Sequence, residues 1–128
     1  LKGPDTVSKS INLIKPKSGN PAFKTVIMGV DFGFEKQMIK MIDVLELNND
    51  VIVIKNPARE EVIAAYKECE FLTLPSRWEL SPLTPLEGFA FKKPVISTNV
   101  HGIPHTITNN KNSILVQAED SQAFSDAI

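Results

Sequence analysis

PSRWELSPLTPLEGFAFKKPVISTNV, residues 75–100, is the stretch whose reading decides the fold. An apolar run over 71–74 leads into it and a β-branched run over 94–98 closes it, so the segment reads strand, loop, helix, strand. In a parallel α/β sheet such a loop lies outside the carboxyl ends of the strands, where these sheets take their ligands. Two carboxylates fall inside it, Glu79 in the loop and Glu87 in the helix, with seven residues between them.

The same alternation continues on both sides. Residues 1–5 read as a turn, and Ile11, Leu13 and Ile14 give a short amphipathic helix that stops at Lys15-Pro16. A loop over 17–21 precedes an apolar strand, 25–28, which ends at Gly29 and is followed by a loop through Gly33. Met38, Ile39, Met41, Ile42 and Leu45 carry a helical period over 35–47, closed by Asn48-Asn49. Residues 51–54 are the next strand; Pro57 breaks it, and 59–68 is a helix with Val62, Ile63, Ala65 and Tyr66 on its apolar side. Beyond the central stretch come a short helix after Gly102-Ile103-Pro104, a strand over 114–116 and a last helix opened by Asp120 or Ser121. Five apolar runs without polar alternation imply strands buried on both faces. The fold class is therefore α/β, a Rossmann-like parallel sheet with helices on both faces, in one domain spanning 1–128.

Composition narrows the function. At 128 residues the chain can bury a genuine core. Its 14 basic and 15 acidic side chains are scattered, with a net charge of -1, which argues against a nucleic-acid partner. No apolar run reaches transmembrane length and no signal-peptide pattern opens the chain, which leaves room for peripheral membrane contact of a longer protein. Cys69 stands alone, without a disulfide partner or metal-type spacing, which suits a cytoplasmic location. His101 and His105 straddle Gly102-Ile103-Pro104, and a proline between them with no third ligand makes a metal site a poor reading.

Pro75-Ser76, Glu79, Glu87 and Pro94-Val95-Ile96 together resemble the E-x7-E segment of the group 1 retaining glycosyltransferases. The resemblance extends through Lys2-Gly3 and Asp5, Gly29, Tyr66, Gly102-Ile103-Pro104, the run 112–116 and Asp120, in the order that family shows. It implies the C-terminal, nucleotide-sugar-binding half of a two-domain GT-B enzyme, with a first strand upstream of Lys2-Gly3 and an N-terminal GT-B domain that the 128 residues lack. The donor it implies is a UDP- or GDP-sugar, with no separate cofactor and no metal.

Each site residue has a plainer reading beside the one the resemblance implies. Thr84-Pro85-Leu86-Glu87 fits a capping box in which Glu87 merely closes its own helix; the resemblance starts that helix a turn earlier and points Glu87 at a ribose diol. Glu79 is by default a partly exposed loop acid, and by resemblance sits beside the donor sugar, as nucleophile or as stabiliser of developing positive charge. Where relatives read Phe-Gly-Leu, this chain has Ser81-Pro82-Leu83; Pro82 carries no N–H, so the N–H groups of Leu83 and Thr84 and the Ser81 hydroxyl are left to face the diphosphate. Lys2 matches a lysine on that diphosphate. Gly29 leaves room at a strand end for the nucleotide, and Lys55 stands where relatives commonly have glycine, near the base.

The expected function is donor binding for transfer of a sugar from a nucleotide diphosphate sugar to an acceptor with retention, the 128-residue chain alone being inactive. Two alternatives share the fold: a relative that binds nucleotide sugars without catalysis, and a GT-B sugar-nucleotide epimerase.

Overall fold

The computed structural model describes residues 3–14, 23–30, 33–108 and 110–128. Lys2, the expected helix stop at Lys15-Pro16 and the loop over 17–21 lie outside them. The elements run α1 (Pro4–Ile14), β1 (Thr25–Gly29), α2 (Glu35–Val44), β2 (Val51–Lys55), α3 (Arg59–Glu68), β3 (Leu72–Leu74), α4 (Leu83–Ala90), β4 (Val95–Thr98), α5 (Ile103–Thr106), β5 (Ser113–Val116) and α6 (Ser121–Ala127). None of the described helices is long and apolar enough to cross a membrane.

All pairing is parallel. β1 lies beside β2 with Thr25 opposite Val51 and Gly29 opposite Lys55, and β4 lies between β3 and β5 with Val95 facing Leu72 and Ser113. The strands thus form two ladders, β1-β2 and β3-β4-β5. One core joins them: Val51 of β2 and Ile96 of β4 belong to the same buried cluster as Val7 and Ile11 of α1, Ile42 of α2 and Phe124 of α6. Burying each such side chain contributes roughly 1.5–3 kcal/mol, against about 0–1 kcal/mol for an exposed ion pair, so this cluster sets how the ladders sit together. On the other face of β3-β4-β5, Leu74 packs with Ile103 and Ile107, and Phe89 of α4 joins them.

Helices therefore cover both faces of the three-stranded ladder. The expectation of burial on both faces fails for individual strands: β4 is buried throughout, but Val26, Ile52 and Ile114 are 46%, 51% and 41% exposed. An apolar run reports what a strand tolerates; burial also depends on what covers it, and Val26 and Ile52 share the less covered face of β1-β2.

Two helix ends depart from the sequence reading. α1 begins at Pro4 because Gly3, at φ +59, turns the chain sharply and the Thr6 N–H donates to the Gly3 carbonyl at 3.0 Å. α2 stops at Val44, short of Asn48-Asn49, because Glu46 takes φ 54 and Leu47 swings into the core, fully buried. α1 packs on α6 through small polar residues, and the Ser10 hydroxyl donates at 2.8 Å to the carbonyls of both Thr6 and Ser121.

Candidate functional site

The carboxyl end of β3 is held down by hydroxyls from β4. Ser97 Oγ donates to the Leu74 carbonyl at 2.9 Å and Thr98 Oγ1 to the Ser76 carbonyl at 2.5 Å, with both side chains fully buried. A serine and a threonine at the end of a buried strand thereby fix where the next loop starts. Arg77 anchors that loop: its Nη2 donates to Asp5 Oδ2 at 2.5 Å and its Nε to Glu119 Oε1 at 2.7 Å, tying the loop to α1 and to the turn before α6. Arg77 is thus committed to the protein, and the guanidinium two residues before Glu79 holds the frame.

Glu79 is half-buried, and its carbonyl accepts from the Gly102 N–H at 2.9 Å. Trp78 is 53% exposed and pairs with His101 at 5.9 Å between ring centroids, tilted 55°. Trp78 is therefore a surface aromatic at the loop, where packing into the interior is the commoner role for such a residue.

α4 starts at Leu83 with Pro82 as its N-cap, and no side chain caps it. Thr84 is accordingly the second helical residue, so the capping-box reading of Glu87 fails geometrically. Among the first helical residues Leu83, Thr84 and Leu86 carry an N–H while Pro85 does not, so the helix start offers donors and the positive end of its dipole. Ser81 is exposed beside it, and Leu83 is 69% exposed. Gly88 brings α4 close to the sheet: a Cβ there would run into the Leu72 side chain.

Glu87 reaches away from its own helix to α3. Oε1 accepts from Arg59 Nη1 at 3.0 Å and Oε2 accepts from the Tyr66 hydroxyl at 2.7 Å. Tyr66 is 6% exposed and stacks on Phe91 at 5.4 Å, nearly parallel; Glu87 keeps a third of its side chain exposed and Arg59 more than half. Sequence reasoning placed Tyr66 on the apolar side of its helix and in the order of motifs, and gave neither it nor Arg59 a role at the site. One signal was available: an arginine at the first residue of a helix opposes the helix dipole, which implies a partner elsewhere.

Burial, and then the hydrogen bond to Glu87, push the Tyr66 phenol above its ordinary value of 10.0. A proton held more tightly in the folded chain than in the unfolded one gives stability that is complete below pH about 10. That stability is lost as pH rises toward the folded value, at up to about 1.4 kcal/mol per pH unit. The 128 residues hold one tyrosine, so tyrosinate absorbance of the 128-residue chain reports Tyr66 alone. Alkaline titration is expected to show the native midpoint above that of the urea-unfolded chain, and Tyr66→Phe is expected to flatten the alkaline loss of stability. Coincident midpoints would contradict both the burial of the phenol and its hydrogen bond to Glu87.

The ends of β1 and β2 complete the same rim. The Gly29 carbonyl accepts from the Asn56 N–H at 2.9 Å, and a Cβ on Gly29 would meet no atom of the described residues within 4 Å. No packing contact with the described residues requires the glycine. Lys55 Nζ donates to Glu35 Oε2 at 2.7 Å on the exposed surface. Arg59 follows β2 by four residues and carries this rim to Glu87. Lys2 lies outside the described residues. A concavity of about 390 Å³ lies at the opposite, amino ends of the strands, among Phe71, Pro94 and Ser113, and holds none of these groups.

The family described as Glycosyl transferases group 1 matches residues 1–128. A D-inositol 3-phosphate glycosyltransferase of Corynebacterium urealyticum is 25% identical over 132 residues, covering 100% of this chain and 31% of that protein. The chain thus spans about a third of the length of that curated relative. Among solved structures, the C-terminal domain of a group 1 family glycosyl transferase (LpcC) from Francisella tularensis superposes with a TM-score of 0.82 at 25% identity, over 98% of this chain and 66% of that one. Anabaena Alr3699/HepE in complex with UDP-glucose superposes with a TM-score of 0.86 at 19% identity, over 98% of this chain and 34% of that one, a likeness of fold.

Proposed function

Because this chain belongs to the group 1 glycosyl transferases, we propose that it is the donor-binding half of an enzyme that moves a sugar, with retention, from a nucleotide diphosphate sugar to an acceptor. The observation that carries the reading is the Glu87 carboxylate, held at the carboxyl rim by Arg59 and Tyr66 instead of closing its own helix. A carboxylate placed so accepts from two adjacent hydroxyls of a ribose, and hydrogen bonds to a charged group contribute roughly 1.5–3 kcal/mol. The Leu83 and Thr84 N–H groups and Lys2 face the diphosphate and stabilise its charge as the sugar leaves, so a cation is not needed for that step. The base meets the backbone near Gly29 and Lys55, and Glu79 adjoins the sugar. UDP-glucose held by the Anabaena protein of the same fold supports a nucleotide sugar as the ligand. The acceptor and any further acid or base come from the N-terminal domain of the longer enzyme, so the 128-residue chain transfers nothing by itself.

A second reading, binding without catalysis, draws on Pro82, which removes one N–H from the helix start, and on Lys55, which is engaged by Glu35. Titrating the full-length protein with UDP- and GDP-sugars tests both readings. One base is expected to bind, and Glu87→Ala to weaken it about 10- to 100-fold. Absence of binding by either class would overturn the proposal, and binding without turnover in the presence of acceptors would favour the second reading.

A further inference from the structure

Glu87 has two anchors of different character. Tyr66 sits on the buried side, two helical turns after Arg59 on α3 and on the same helix face, its ring fixed by Phe91. Arg59 reaches across from the solvent side. A carboxylate offers about four lone-pair sites, two on each oxygen. Arg59 occupies one on Oε1 and Tyr66 one on Oε2, which among the described residues leaves one on each oxygen. Two free acceptor positions, one per oxygen, on a carboxylate whose outer side is open to solvent match two vicinal hydroxyls. They match a single donor or a lone phosphate poorly.

We infer that Tyr66 and Arg59 are positioning residues which hold Glu87 as a two-point acceptor for a vicinal diol and so set this site's preference for ribose over deoxyribose. The inference rests on the proposed role of Glu87. Arg59 holds Oε1 at 3.0 Å, while the Tyr66 hydroxyl on Oε2 fixes the rotation of the carboxylate. A phenol of ordinary value 10.0 is a donor throughout the neutral range, and burial with the Glu87 bond extends that further into alkali. A purely structural ion pair would require neither the buried hydroxyl nor an arginine placed against the helix dipole.

The test uses the full-length protein with UDP and GDP and their 2′-deoxy counterparts. The readout is the ratio of deoxy to ribo dissociation constants for whichever base binds. Overall loss of fold lowers both affinities together and leaves this ratio in place, whereas loss of positioning lowers the ratio. The expected ratio is about 10 or more in the parent, falling to near 1 in Glu87→Gln. Tyr66→Phe, which keeps the stacked ring and removes only the hydroxyl, is expected to lower it at least about threefold, and Arg59→Gln likewise, with Arg59→Lys restoring part of it. Arg59 is more than half exposed, so its replacement leaves the core intact. If Glu87→Gln collapses the ratio while Tyr66→Phe and Arg59→Gln leave it unchanged, the positioning role is overturned and the diol reading stands. If the parent ratio is already near 1, or Glu87→Gln does not move it, the diol reading fails and this inference fails with it.

Discussion

Replacing Glu79 by alanine in the full-length protein is expected to lower kcat for sugar transfer by about 10²–10³-fold while changing nucleotide-sugar affinity less than about threefold. The magnitude is that of removing one preorganised electrostatic group from a site where charge develops, roughly 3–4 kcal/mol. The split between kcat and affinity follows from position. Glu79 lies in the loop between β3 and α4, whereas the groups assigned to ribose and diphosphate, Glu87 and the Leu83 and Thr84 N–H groups, lie within α4 itself. The loop is anchored on either side, by Arg77 to Asp5 and Glu119 and by the Glu79 carbonyl to the Gly102 N–H, anchors that truncating the Glu79 side chain does not remove. Steady-state kinetics beside a donor titration separates the two effects. Unchanged turnover would remove Glu79 from the mechanism. Loss of affinity in step with turnover would reassign it to ground-state binding.

Much of this arrangement was legible in the sequence because it rests on local rules. Residues 59–68 read as a helix from their apolar period and form one over the same span, and Asp120 caps α6 by accepting the Ala123 N–H at 2.9 Å, as its place before a helical run implies. Group 1 membership was legible from ordered motifs no one of which is specific alone. What the sequence hid depends on distant partners. Whether Glu87 closed its own helix or reached outward turned on the first residue of α4, a difference of one turn that both Ser81-Pro82 and Thr84-Pro85 could satisfy. Its partners lie 28 and 21 residues earlier, on a helix whose packing against α4 no short-range pattern encodes. The exposure of Val26 and Ile52 was equally hidden, since an apolar run carries no record of which face a helix covers. Arg77, adjacent to the presumed chemistry, is explained by Asp5, 72 residues away.

Gly102 is the position where one added methyl group is expected to do most damage to the fold. Its φ of −78° and ψ of −12° are ordinary right-handed values, so the backbone conformation itself would accept alanine. The obstacle is contact: a Cβ at Gly102 would be driven into the backbone carbonyl of Leu80, and a backbone carbonyl cannot rotate aside as a side-chain tip can. Either the loop carrying Glu79 and Leu80 moves or α5 does. α5 is pinned by Ile103, fully buried against Leu74 and Ile107, so the loop is the element that yields. Its movement strains or breaks the hydrogen bond from the Gly102 N–H to the Glu79 carbonyl. Overpacking of this kind costs about 3 kcal/mol where no relaxation is open. For a domain of this size that lowers Tm by roughly 10 °C. Gly102→Ala is therefore expected to show that fall in Tm together with a loss of turnover of at least about 10²-fold at temperatures where the variant remains folded. A displacement of the order of 1 Å at Glu79 is enough for the second effect. Differential scanning calorimetry and kinetics on the same preparation read both. A Tm within about 3 °C of the parent would mean that the loop accommodates the methyl group without strain, and retained turnover would mean that the position of Glu79 does not depend on its contact with the start of α5.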